Sequence, residues 1–139
     1  MLWGFTIKSS EGKKNMRILS VDDSQATRQF IKKAIDVLGF EFLEAGDGKE
    51  GLEVLQRENG NIDLILLDRH MPEMDGMEML EAIKSNELFK NIPVTMVTVE
   101  LERDEIQNAI MKGAKNYLVK PFTQENLIGK VMESLEMTL

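Results

Sequence analysis

The sequence predicts an α/β fold of five successive βα units, a central parallel sheet covered by helices on both faces. Three observations carry that reading. From Met16 onward, short β-branched or Leu-rich runs alternate with amphipathic stretches. The runs IDLILL and PVTMVTV are apolar almost throughout, as strands covered on both faces are. The stretches between runs carry helix start and stop signals in the right places.

The elements follow in order. Residues 1–15 (MLWGFTIKSSEGKKN) show no periodicity and end in Ser, Gly and Lys, so they are placed outside the core, which spans 16–139. That extension, with Trp3 in it, reads equally as a tail, an expression remnant or an added edge segment, and Met16 is an alternative start. Strand one is Arg17–Val21. Phe30, Ile31, Ala34, Ile35 and Leu38 then recur at helical spacing, with Gly39 where a helix-ending glycine belongs. Strand two is Phe40–Ala45, and Asp47 with Glu50 resembles a capping box that opens helix two. Strand three is Ile62–Leu67, followed by Asp75 with Glu78, a second capping box ahead of Met77, Leu80 and Ile83. Strand four is Pro93–Val97, Gly113 closes helix four, and strand five is Asn116–Val119. Leu127, Ile128, Val131, Met132 and Leu135 mark helix five. Met77, Met79, Met111 and Met132 fall in apolar helix stripes and are read as core, although ten methionines would also suit a soft interaction surface.

At 139 residues, 42% hydrophobic and 29% charged, the chain can bury roughly two thirds of its unfolded surface. A single domain of the usual ~100–200 residues accounts for it. The lack of cysteine in the sequence excludes disulfide frameworks, thiolate metal sites and cysteine nucleophiles, and fits a reducing compartment. With 17 basic against 24 acidic residues and a formal charge of −7, nucleic acid and anionic membranes are poor partners and a cationic surface a better one. No apolar run approaches the ~18 residues that span a bilayer, and Met1-Leu2-Trp3-Gly4-Phe5 lacks the features of a signal sequence. A cytoplasmic protein without membrane insertion is expected.

In an open α/β sheet the ligand crevice lies outside the carboxyl ends of the strands. Strand one ends in Asp22-Asp23, strand three in Asp68, strand four in Thr98 and strand five in Lys120-Pro121. Three carboxylates brought together repel: two unit charges ~4 Å apart cost roughly 4 kcal/mol at an effective dielectric of ~20. Lys120 offsets part of this, and a hard cation the rest. Mg²⁺ is favoured, since it binds through one or two carboxylates together with waters and phosphate oxygens. A nucleophilic carboxylate beside a magnesium and a lysine is the arrangement for accepting a phosphoryl group as an aspartyl phosphate. Asp68 is then the nucleophile, Asp23 and Asp68 hold Mg²⁺ with Asp22 reaching it through water, and Thr98 and Lys120 each bind a product oxygen.

The strand-end pair Asp22-Asp23, the run from Asp68 through His70, Pro72 and Asp75-Gly76, then Thr98 and Lys120-Pro121-Phe122 together resemble a two-component receiver domain of the CheY-like type. The resemblance covers residues 16 to about 137. It implies a flavodoxin-like doubly wound (βα)5 fold with strand order 2-1-3-4-5; that order comes with the resemblance, CheY-like receivers being a stock example of it, and not from periodicity. It further implies phosphotransfer from a histidine kinase or histidine phosphotransfer domain, with the backbone carbonyl of His70 as a further metal ligand. Thr98 would move toward the phosphoryl group and Tyr117 would rotate inward, and the Lys120–Pro121 bond is often cis. Output would be through a protein partner such as a flagellar-switch or phosphorelay protein, docked on the face of helix four, strand five and helix five, with Ile106 and Tyr117 as candidate contacts. The chain would act as a switch with slow self-dephosphorylation and not as a turnover enzyme, as a monomer or a phosphorylation-linked dimer.

Other readings of the same residues are weaker. Asp22 and Asp23 with Ser24 would also cap a helix, but not beside Asp68 and Lys120. Asp75-Gly76 is explained by a turn and cap, so Asp75 is left out of the site. A haloacid-dehalogenase-like phosphatase would carry a second Asp where this chain has His70. A flavin site would need a Gly/Ser/Thr-rich loop where this chain has DDSQ. The main alternative is a pseudo-receiver that binds partners without taking phosphate. Within the receiver reading, His70 and Glu100 are expected to pair across the mouth and tune phosphoryl lifetime between about pH 5 and 8. Val99, β-branched where the family is usually small, is expected to narrow access to Asp68.

Overall fold

The computed structural model describes residues 15–99 and 102–138. The expectations placed on the extension up to residue 14, Trp3 included, and on Glu100 lie outside the described residues. Five strands and five helices alternate. They are β1 (Arg17–Val21), α1 (Gln25–Val37), β2 (Glu41–Ala45), α2 (Gly48–Arg57), β3 (Leu64–Asp68), α3 (Gly76–Lys84), β4 (Val94–Thr98), α4 (Arg103–Met111), β5 (Asn116–Val119) and α5 (Gln124–Ser134). Every strand pairing is parallel and the sheet runs β2-β1-β3-β4-β5, the doubly wound order expected.

Alternation along each strand divides the core in two. Leu19, Val21, Ile65, Leu67, Val94 and Met96 face one side with Leu55, Met79, Leu80 and Ile83. Ile18, Leu64, Leu66 and Val97 face the other with Ile31, Ala34, Ile35, Leu127 and Val131. All five residues of β3 and of β4 are buried, whereas the edge strands β2 and β5 are mixed. Each fully buried Leu or Ile contributes about 1.5–3 kcal/mol, so the central strands carry much of the stability.

The helix signals hold with two differences. Asp75 and Glu78 form a reciprocal capping box. At α2, Asp47 accepts from the Glu50 N–H, but the Glu50 carboxylate accepts from Gly46 N–H at 2.7 Å, one residue before the cap, so the box is not closed. A box without a clear sequence signature opens α5, where Thr123 pairs with Asn126 in the position usually held by Glu or Gln. Gly39 (φ 75°) and Gly113 (φ 111°) end α1 and α4 in the left-handed region, as their positions required.

Three strand edges move. Phe40 gives its N–H to Ile35 O and so still belongs to the turn after α1. The Ile62 N–H turns back onto Gly60 O, and Pro93 has no N–H for the ladder; β3 and β4 therefore start later and extend to include Asp68 and Thr98. Two stripe residues also differ from expectation. Met111 is 85% exposed and not core, and Phe30 is 41% exposed, meeting Phe122 edge-on with ring centroids 5.7 Å apart.

Candidate functional site

The sheet itself assembles the crevice. Asp22 N–H donates to Ala45 O (3.1 Å), Arg69 N–H to Val97 O (3.0 Å) and Lys120 N–H to Thr98 O (2.8 Å), which fixes the chain where β1, β3 and β5 end. Asp22, Asp68 and Thr98 are buried there, and Asp23 is exposed at the rim. Asp68 and Thr98 are the last residues of adjacent strands.

Lys120 joins two of the acids. Its Nζ lies 3.1 Å from Asp22 Oδ2 and 3.3 Å from Asp68 Oδ1, although the three residues are far apart in sequence. The other Asp22 oxygen accepts from Ser24 N–H at 2.8 Å, while Arg28 Nη1 donates to the Asp22 carbonyl at 2.6 Å. Ser24 is also the N-cap of α1, so capping and site building coexist at this turn. Burial pushes the Asp68 carboxyl up to about 6, with the nearby Asp22 charge adding to the rise and Lys120 opposing it. For Lys120, burial works against the ammonium, but the hydrogen bond and charge of Asp22 and then Asp68 outweigh it and raise its pKa.

The donor set fits a hard cation. Carboxylate oxygens of Asp22, Asp23 and Asp68 lie within 4.8 Å of one another. Oxygen-only donors at an open rim suit Mg²⁺ and not zinc. One ammonium between two buried carboxylates leaves net negative charge at the site, which a divalent ion would neutralise.

The remaining expected residues lie around this cluster. Thr98 and half-buried Tyr117 line one small cavity together with Arg69, Met96, Glu105, Ile106 and Ala109. Lys130 Nζ of α5 sits 5.5 Å from the centre of the Tyr117 ring. His70 is exposed in the loop after β3. Val99 is 62% exposed and lines an apolar groove with Phe30, Lys120, Pro121 and Phe122. The Lys120–Pro121 bond is cis. Two features of the site were not expected from the sequence. A Cβ on Gly76 would lie 2.3 Å from the Asp68 carbonyl oxygen, so the Asp-Gly pair does more than turn the chain: α3 starts against the backbone of the expected acceptor. Arg69, directly after Asp68, pairs with Glu105 of α4 at 2.6 Å. The Asp75-Gly76 dipeptide was the only sequence signal for the first, and no local pattern announces the second.

A parallel sheet with paired acids, a buried central aspartate and a bridging lysine at its carboxyl edge is the architecture of a receiver-type module. The chain belongs to the response regulator receiver domain family, whose model matches residues 18–132. That family comprises signalling phosphoacceptors that bind Mg²⁺ and act between a histidine kinase and a downstream target. Among curated relatives, the chain is 41% identical over 122 residues to the chemotaxis protein CheY of Pseudomonas aeruginosa, covering 87% of this chain and 97% of that one. It is 39% identical over 125 residues to CheY1 of Helicobacter pylori, covering 89% and 97%. The solved structure of the chemotaxis response regulator CheY4 of Vibrio cholerae matches with a TM-score of 0.82 at 32% identity, over 87% of this chain and 99% of that one. No helix among the described residues is long and apolar enough to cross a membrane.

Proposed function

We propose that this receiver takes a phosphoryl group on Asp68 from the phosphohistidine of a sensor kinase or a histidine phosphotransfer domain. Taking the phosphoryl group then switches its grip on a protein target. The observation that carries the reading is the contact of one ammonium, Lys120, with both buried carboxylates, Asp22 and Asp68, beside the third acid Asp23. Asp23 and Asp68 would hold Mg²⁺, with Asp22 reaching it through water and the His70 carbonyl as a further ligand. When bound, that ion neutralises charge on the transferring oxygens.

In the transfer, an Asp68 carboxylate oxygen forms the new bond to phosphorus as the N–P bond breaks, and the imidazole leaves with the electron pair. Lys120 and the Thr98 hydroxyl bind product oxygens, which favours the transition state by charge and orientation. Before transfer Lys120 already lies against Asp68, so the product site is organised in advance. Tyr117, beside Thr98 in the small cavity, carries the change to the face formed by α4, β5 and α5, where Ile106 belongs to the target contact. Chemotaxis is the favoured output, with a flagellar-switch protein as target, because curated relatives of near-equal length are chemotaxis proteins; a phosphorelay partner would use the same residues. The protein works in the cytoplasm as a switch and not as a turnover enzyme. His70, Glu100 and Val99 set the rates of gain and loss of the phosphoryl group.

Intact mass after incubation with acetyl phosphate and Mg²⁺ tests the reading. One phosphoryl addition is expected, absent in Asp68→Asn and after chelation. No addition from acetyl phosphate or from a kinase donor would leave the constitutive binding module, the pseudo-receiver, in its place.

A further inference from the structure

α4 is the least anchored helix of the fold. It buries a single residue, Ala109, whereas each of the other four buries three or four. Its N-cap, Glu102, makes no side-chain capping bond. Beneath it lies the small cavity lined by Arg69, Thr98, Glu105, Ile106 and Tyr117 among others. Ion pairs sit at both ends in place of apolar contact. Arg69 Nη2 meets Glu105 Oε1 at 2.6 Å in the first turn, and Lys112 Nζ, on the C-cap, meets Glu81 Oε2 of α3 at 2.6 Å. The first pair is the better sheltered, its side chains 19% and 36% exposed against 39% and 54%.

Arg69 is also the chain neighbour of Asp68, and its backbone is held on both sides. Its N–H donates to Val97 O, and its carbonyl accepts from Gly76 N–H at 2.9 Å. The side chain is therefore the part free to respond. A phosphoryl group on Asp68 would carry about 1.5–2 negative charges where the ionised carboxylate carries one, a gain of about 0.5–1, within one ~8 Å Debye length of the residue that follows. Thr98, which closes the strand beside Asp68, lines the same cavity as Arg69 and Glu105.

We propose that Arg69 is a positioning residue that clamps the first turn of α4 to the acceptor strand through Glu105, and that negative charge gained at Asp68 competes for its guanidinium and loosens α4. The second half rests on the phosphoacceptor reading above; the first half does not. The clamp belongs to this pair of residues, and it makes the seating of α4 ionic and sensitive to salt.

Hydrogen exchange of the full chain tests both halves. Without metal, Glu105→Gln and Arg69→Gln are expected to speed exchange of the 105–111 amides about threefold, the size of a half-exposed ion pair. Arg69→Lys, which keeps the charge, should restore slow exchange, and α1 and α5 should not change in any variant. With Mg²⁺ present throughout, adding beryllium fluoride as the phosphoryl stand-in should speed exchange in wild-type α4 by a similar factor and in Glu105→Gln little further. By reciprocity Glu105→Gln should then bind beryllium fluoride about threefold more tightly. Unchanged α4 exchange in both Gln variants overturns the clamp, and equal beryllium fluoride affinity overturns the coupling. If wild type gains no protection at residues 22–24 and 120–122 with beryllium fluoride, the phosphoacceptor reading fails and the coupling with it. The metal-free comparison would then still decide the clamp.

Discussion

Replacing Asp68 by Asn should stabilise the metal-free protein at neutral pH, and the size of the gain follows from the site. Asn occupies the space of Asp and matches its protonated form, with an oxygen still able to accept from Lys120. Burial, and then the charge of Asp22, raise the Asp68 carboxyl from 3.8 to about 6. A tenfold change in acidity corresponds to about 1.4 kcal/mol, so ionising Asp68 in the folded protein costs about 3 kcal/mol more than ionising it in the unfolded chain. A raised carboxyl pKa stabilises the fold fully below 3.8, and that stability is lost as pH climbs through about 6. At pH 7.5 with chelator, the variant should therefore exceed wild type by about 3 kcal/mol, or roughly 10 °C in Tm for a domain of this size. At pH 3.5 the two should coincide. Millimolar Mg²⁺ should raise wild type at pH 7.5 and narrow the gap, because the ion binds the native acids. Thermal melts at the two pH values, with and without Mg²⁺, measure all of this. An Asp68→Asn variant no more stable than wild type at pH 7.5 without metal would refute the reasoning that charge on Asp68 destabilises the free domain.

Lys120→Ala leaves Asp22 and Asp68 facing each other without their ammonium, so metal-free stability should fall by about 2 kcal/mol at pH 7.5. The deficit should shrink as pH falls through about 6 and Asp68 takes up a proton, which urea melts at about pH 7.5 and about pH 5 would register. Gly76→Ala forces a Cβ to within 2.3 Å of the Asp68 carbonyl oxygen, and overpacking against backbone should cost about 3 kcal/mol. Phosphorylation by acetyl phosphate should slow as well, because the acceptor strand must shift; unchanged stability would mean that α3 can start elsewhere. Val99→Ala should speed phosphorylation by small donors while leaving melts unchanged, and equal rates in wild type and variant would remove Val99 from access control.

Much of the fold is legible in the chain because each strand and helix announces itself locally. The apolar runs of β3 and β4 are long enough to need cover on both faces, and Gly39 and Gly113 stand where only a left-handed residue ends a helix comfortably. The edges are less legible. Whether Ile62 or Phe40 joins a strand depends on which carbonyl takes its N–H, and loop closure decides that. Met111 shows the same limit, since its stripe position on α4 suggests core but the helix rests on little more than Ala109.

The candidate site divides in the same way. By itself the sequence determined which chemistry gathers at the carboxyl edge, because in a parallel sheet the residues closing each apolar run, Asp22, Asp23, Asp68, Thr98 and Lys120, must all emerge on one side. Only the tertiary structure decided how they divide the charge: Lys120 bonds both Asp22 and Asp68, and burial holds Asp68 near 6. It alone placed Gly76 under the Asp68 carbonyl and Arg69 against Glu105. Periodicity and capping act over a few residues, whereas desolvation, close approach and ion pairing depend on distances between segments that meet only when the sheet has closed.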